Sequence, residues 1–110
     1  MPQSSDAGSK KISLALLGAG RMGGAMLKGW VASGLKKRDM AVFEPSPSDD
    51  LVKIKGRSSL AINPELTAFE GKPFDVVVLA VKPQLAVEVL RSHAALIGPK
   101  TLLVSIVAGL

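Results

Sequence analysis

Residues 12–17, ISLALL, form an apolar run with a single serine and pass directly into GAGRMGG, which places four glycines among seven residues. An apolar run of this length suits a central strand of a parallel sheet, covered on both faces. Beyond the glycines, Met22, Met26 and Trp30 recur every four residues with Leu27 and Val31 beside them, the stripe of a helix packed on a sheet. Gly34 then supplies a C-terminal cap. A strand that turns through glycines straight into an amphipathic helix is the first half of a βαβ unit, which implies a parallel sheet with right-handed crossovers.

The rest of the chain continues the alternation. After the basic loop Lys36-Lys37-Arg38, residues 40–44 (MAVFE) read as a second strand, ended by Pro45 and the turn-prone Ser46-Pro47-Ser48. Residues 49–55 suit a short helix stopped by Gly56. Residues 58–62 suit a third strand closed by Asn63-Pro64, with one helical turn over 65–69. The β-branched run DVVVLAV, residues 75–81, marks the fourth strand most strongly. Pro83 opens a helix reaching Leu96, along which Leu85 with Val89 and Ala86 with Leu90 stand at helical spacing; residues 101–107 (TLLVSIV) give a fifth strand. The order predicts a Rossmann-like, doubly wound parallel α/β sheet. In such sheets ligands bind beyond the carboxyl ends of the strands. The glycines, residues 44–46, Lys82-Pro83 and Ala108-Gly109 all follow predicted strands and therefore share one rim.

Composition narrows the chemistry. With 110 residues, 47% of them hydrophobic, the chain suffices for one compact domain over residues 11–110, preceded by a polar extension, residues 1–10, read as flexible. It contains no cysteine and a single histidine, His93, so neither a disulfide framework nor a clustered metal site is expected. His93 is expected on the surface of the helix after the fourth strand, and no residue stands out as catalytic. The net charge of +5 suits a phosphate-bearing ligand; three Phe, one Trp and no Tyr are a poor stacking platform for bases, so nucleic acid is not the expected partner. No apolar run approaches the roughly 18 residues of a membrane span, and no secretory signal is evident, so a cytoplasmic protein without a membrane partner is expected.

Gly18-Ala19-Gly20-Arg21-Met22-Gly23 fits the pattern G-x-G-x-x-G in the setting that gives the pattern meaning, a strand before and a helix after. There the first glycine permits a tight turn, the second admits a pyrophosphate to the backbone, and the third lets helix and strand pack closely. Gly24 lies outside that scheme and is assigned to close packing. The same sequence also fits a glycine-rich turn with no ligand. An acidic residue about 20 positions on would accept hydrogen bonds from the adenosine ribose; Glu44 stands 21 residues beyond Gly23. Its carboxylate favours NAD, whereas Ser46 and Ser48 could serve the 2′-phosphate of NADP, so both cofactors stay open.

Three stretches together, residues 18–26, Ala80-Val81-Lys82-Pro83 and Val104-Ser105-Ile106-Val107-Ala108-Gly109, resemble the pyrroline-5-carboxylate reductases over about residues 11–110. The resemblance implies an N-terminal domain that binds NADP or NAD, and an activity reducing 1-pyrroline-5-carboxylate to L-proline in proline biosynthesis. A helical C-terminal domain, absent here, would form the homo-oligomer and supply the substrate-binding groups. It further implies that Leu17, Gly18, Ala19, Gly20, Arg21 and Met22 hold the pyrophosphate. Ser46 would lie near the adenosine ribose or its phosphate and Asn63 near the adenosine; Ala80, Val81, Lys82 and Pro83 would line the groove, and residues 105–109, with Ala108 and Gly109, would end near the nicotinamide. Arg21, where the family often has Asn or Gln, and Val107, where alanine is common, depart from the pattern. This chain alone is then expected to bind cofactor without reducing the imine. Two alternatives remain: an F420-dependent NADP reductase or β-hydroxyacid dehydrogenase type of domain, and a stand-alone nucleotide-binding module.

Overall fold

The computed structural model describes residues 12–18, 21–36, 39–47, 49, 51–52 and 60–106. Five strands, β1 (Leu14–Leu17), β2 (Met40–Phe43), β3 (Ala61–Ile62), β4 (Val76–Leu79) and β5 (Leu102–Ser105), form one sheet in the order β3-β2-β1-β4-β5. Every neighbouring pair is parallel. This is the doubly wound arrangement expected from the alternation, with strand order reversing between β1 and β4.

Each strand is shorter than its apolar run because a parallel ladder ends where the backbone turns away, not where hydrophobicity stops. Residues 12–13, 44, 60, 75, 80–81, 101 and 106 fall outside the strands; of the third predicted strand Ala61–Ile62 pair, and residues 58–59, like Val107, lie outside the described residues. The helical turn over 65–69 is a 3-10 turn, Leu66–Phe69. Of the short helix predicted for 49–55, the described residues 49 and 51–52 are helical. The helix predicted from Pro83 to Leu96 is broken into a 3-10 turn Pro83–Leu85, the helix α2 (Ala86–Ser92) and a second 3-10 turn Ala94–Leu96. The break falls at His93, whose φ of −112° and ψ of 24° leave the helical range.

The helix α1 (Arg21–Ala32) packs on one face of the sheet. Leu27 joins Leu14, Leu16, Met40, Val42, Leu51, Leu60 and Val78 in one buried cluster there, with Met26, Trp30 and Val31 at its margin. The opposite face gathers Ala15, Leu17, Ala41, Phe43, Phe74, Val77, Leu79 and Leu96, against which Ala86, Val89 and Leu90 of α2 pack. Alternation along β1 thus sends Leu14 and Leu16 to one layer and Ala15 and Leu17 to the other. A Schellman cap ends α1 as predicted: Gly34, at φ 102°, donates to the Val31 carbonyl, and Leu35 donates to that of Trp30.

Opposite ends of the sheet are fastened differently. At the amino ends of β1 and β4, the Ser13 N–H donates to Asp75 Oδ2 at 2.9 Å and the Asp75 N–H returns to Ser13 Oγ at 2.9 Å. On the outer side, β5 leaves Leu102 61% and Leu103 42% exposed.

Close packing is not the role of Gly24: a Cβ built there, or at Gly29, meets nothing within 4 Å. Both glycines stand in the interior of α1, where they cost roughly 0.5–1 kcal/mol relative to alanine. Gly24→Ala and Gly29→Ala are each expected to stabilise the chain by about that amount in urea denaturation. Gly23→Ala should instead destabilise it by about 1–3 kcal/mol, because its Cβ would lie 2.6 Å from the Gly18 carbonyl oxygen.

Candidate functional site

The carboxyl ends of four strands open onto a cleft of ≈ 510 Å³, lined by Gly18, Phe43, Glu44, Pro45, Ser46, Asn63, Ala80, Val81, Lys82, Leu85, Val89 and His93. The loops reach it in register because the ladder continues one bond past each strand. Gly18 donates to the Phe43 carbonyl, Ala80 to that of Leu17, Asn63 to that of Val42 and Ile106 to that of Leu79, at 2.7–2.9 Å. The cleft therefore sits at the point where strand order reverses, flanked by the turns after β1 and β4.

Gly18 fixes how close those two turns come. Its φ of 93° is one that side-chain-bearing residues rarely adopt, and a Cβ there would stand 2.6 Å from the Ala80 carbonyl oxygen and 2.8 Å from Val81 Cγ1. Gly23 in turn lets the first turn of α1 rest on the Gly18 carbonyl. These two contacts match the first and third roles expected of the motif. The first turn of α1 carries no acidic side chain to offset the positive end of the helix dipole.

The turn after β2 is shaped by its own side chains. Asn63 accepts from the Glu44 N–H through Oδ1 and donates to the Glu44 carbonyl through Nδ2, both at 2.8 Å. It does so from a φ of 51°, in the left-handed region that asparagine tolerates better than most residues. Glu44 Oε2 accepts from the Ser46 N–H at 3.0 Å, drawing the carboxylate over the turn. Glu44, Ser46 and Asn63 thus stand together, with Asn63 acting on the backbone of Glu44.

His93 is the residue that sequence reading misplaces. It is half-buried, its ring 5.3 Å from that of Phe43 in an edge-to-face contact, and it lines the cleft. The signal was there: Leu85, Val89 and His93 follow one another at four-residue spacing, and all three face the cleft. His93 Nδ1 lies 2.8 Å from the Val89 carbonyl and 3.1 Å from Ser92 Oγ. A carbonyl only accepts, so this contact assigns the proton to Nδ1 and leaves Nε2 the acceptor in the neutral ring.

Other expected site residues are placed differently. The Leu17 side chain is fully buried in the core below the cleft, its carbonyl taken by Ala80. Gly23 lies under the turn, not on the cleft wall, and Pro83 heads the exposed 3-10 turn. Ala19, Gly20, Ala108 and Gly109 lie outside the described residues, as do the side chains of Arg21 and Met22, whose backbone opens α1. The polar extension 1–10 is outside them too.

Asn63→Ala is expected to cost about 2 kcal/mol in urea denaturation, from two lost hydrogen bonds and a strained backbone. Asn63→Gly, which relieves the strain, should recover about half of that loss.

Comparison with known proteins is consistent with this geometry. The chain is 33% identical over 97 residues to a pyrroline-5-carboxylate reductase of Pseudomonas aeruginosa, covering 88% of this chain and 35% of that protein. A solved pyrroline-5-carboxylate reductase from Coxiella burnetii superposes with a TM-score of 0.72 at 25% identity, over 91% of this chain and 37% of the other. The chain therefore spans about a third of the length of each relative. Residues 13–109 match the family described as NADP oxidoreductase, coenzyme F420-dependent, and the chain belongs to that family.

Proposed function

We propose that residues 11–110 are the NAD(P)H-binding unit of a cytoplasmic pyrroline-5-carboxylate reductase, which reduces the C=N bond of 1-pyrroline-5-carboxylate to give L-proline. The observation that carries this reading is the meeting of the Gly18 turn with Ala80 and Val81 at the reversal of strand order, beside a cleft that also holds Glu44 and Lys82. Both relatives bearing that enzyme's name align with this chain over about a third of their own length. The remaining length of such a protein would supply the substrate-binding groups and the homo-oligomer contacts.

On this reading the pyrophosphate lies against the backbone of residues 18–23 and the start of α1, where free N–H groups and the helix dipole favour an anion. Lys82, exposed at the rim just after the Ala80–Val81 contact, adds a cation on the same side. Ala80, Val81 and Lys82 wall the groove, and Ala108-Gly109, outside the described residues, are assigned by the family resemblance to the nicotinamide end, where the nicotinamide supplies the hydride when bound. Glu44 accepts from the adenosine ribose, with Ser46 and Asn63 shaping its turn. Because the Glu44 carboxylate already takes the Ser46 N–H, a 2′-phosphate would meet a negative charge on a donor it needs, so NADH is the preferred cofactor.

Titration calorimetry of the chain with NADH and NADPH tests the reading. NADH is expected to bind, and Gly20→Val to weaken it by roughly tenfold or more by blocking the pyrophosphate's approach. Binding of neither dinucleotide would remove the reading. Glu44→Ala is expected to move the NADPH-to-NADH affinity ratio roughly tenfold toward NADPH, about 1.4 kcal/mol. The full-length gene product should oxidise NADH when given 1-pyrroline-5-carboxylate, and the 110-residue chain should not.

A further inference from the structure

We propose that His93 reads the 6-position of the cofactor's purine, accepting a hydrogen bond from the 6-amino group through Nε2 and so favouring a 6-aminopurine dinucleotide over its 6-oxo counterpart. This rests on the dinucleotide reading of the cleft and deepens it. With the ribose held at Glu44, the base lies one glycosidic bond further along the cleft. The wall available to it there is Phe43, Leu85, Val89 and His93. Phe43 directly precedes Glu44 in the chain, and its ring contact with His93 joins that wall to the ribose-binding turn.

Three of those four side chains are apolar, which suits the face of a base, and His93 is the polar member. Its orientation is fixed from its own helix: Nδ1 donates to the Val89 carbonyl, with Ser92 Oγ alongside, and Ser92 Oγ itself lies within reach of the Glu88 and Val89 carbonyls as a donor. All of the ring's hydrogen bonds among the described residues run through Nδ1, so among those residues Nε2 is an acceptor without a partner. The other polar groups on the cleft serve differently. Both ends of the Asn63 amide are committed to the Glu44 backbone, the Lys82 ammonium is a donor only, and Glu44 with Ser46 forms the ribose turn. An acceptor fixed in an apolar wall fits an exocyclic amine and opposes a carbonyl oxygen at the same position, which would face it lone pair to lone pair.

The test titrates the chain with NADH and with reduced nicotinamide hypoxanthine dinucleotide, which differs in carrying a 6-oxo group. The wild-type chain is expected to bind NADH roughly three- to tenfold more tightly, the value of one neutral hydrogen bond. In His93→Phe, which keeps a ring against Phe43 and removes the acceptor, the ratio should fall to about one while both ligands still bind. The chain has one histidine, so two-bond proton–nitrogen spectra of the wild type report on His93 directly and need no variant. Nδ1 should appear as the protonated nitrogen, and the Nε2 resonance should move on adding NADH and stay in place on adding the hypoxanthine analogue. If NADH binds but the ratio survives in His93→Phe, or Nε2 ignores NADH, the assignment of His93 falls and the dinucleotide reading stands. If neither dinucleotide binds the wild-type chain, both fall.

Discussion

The structure depends on the absence of two methyl groups. With a Cβ at Gly18, the turn after β1 would collide with the Ala80 carbonyl, and with one at Gly23 the helix would be pushed off the Gly18 carbonyl. Backbone oxygens cannot swing aside as a long side chain can, so either change must separate the turn from β4 or α1 from β1. Those are the pairs whose closeness brings the two flanking turns together at the reversal of strand order. Glycine there serves proximity more than flexibility, and the cleft follows from it.

Around that contact the rim is kept in register by main-chain hydrogen bonds, and side chains shape only one end. Toward β1 and β4, Gly18, Ala80 and Ile106 are held by carbonyls of neighbouring strands. Toward β2 and β3, the Asn63 amide and the Glu44 carboxylate fold the turn onto itself. At the other end of the sheet, the paired hydrogen bonds of Ser13 and Asp75 hold β1 and β4 together where no ligand is expected. The same two strands are thus joined by side chains at the closed end and left to backbone contacts at the open one.

This difference decides what could be read from the sequence. The alternation of strands and helices, the α1 stripe and the Gly34 cap follow from hydrophobic period and glycine placement, which are local, and all are found among the described residues. Strand ends were overestimated because apolar residues such as Val81 continue past the ladder to line the cleft. Gly24 sits beside a motif glycine and invites the same explanation, yet only the three-dimensional setting shows that a Cβ there meets nothing. His93 was placed on the surface because one polar residue at the end of an amphipathic helix is usually solvated. The four-residue spacing of Leu85, Val89 and His93 puts it on the cleft face of its helix, whereas its contact with Phe43 spans 50 positions in sequence and needs the fold to be seen.

Backbone geometry and side-chain chemistry therefore divide the proposed cofactor between them. In the proposed reading the pyrophosphate end rests on glycines, so a sequence motif exposes it to inspection. The adenosine end is proposed to rest on Glu44, Ser46 and His93, whose types are common on any surface and which share one cleft. Substitution at the first end disturbs the packing of α1 and β4 along with any ligand. Substitution at the second leaves both core layers intact: Glu44 and His93 belong to neither buried cluster, although His93 touches Phe43 at its margin. A chain of this design can change which dinucleotide it prefers without changing its fold, and preference is accordingly the property least visible in a family resemblance built on glycines.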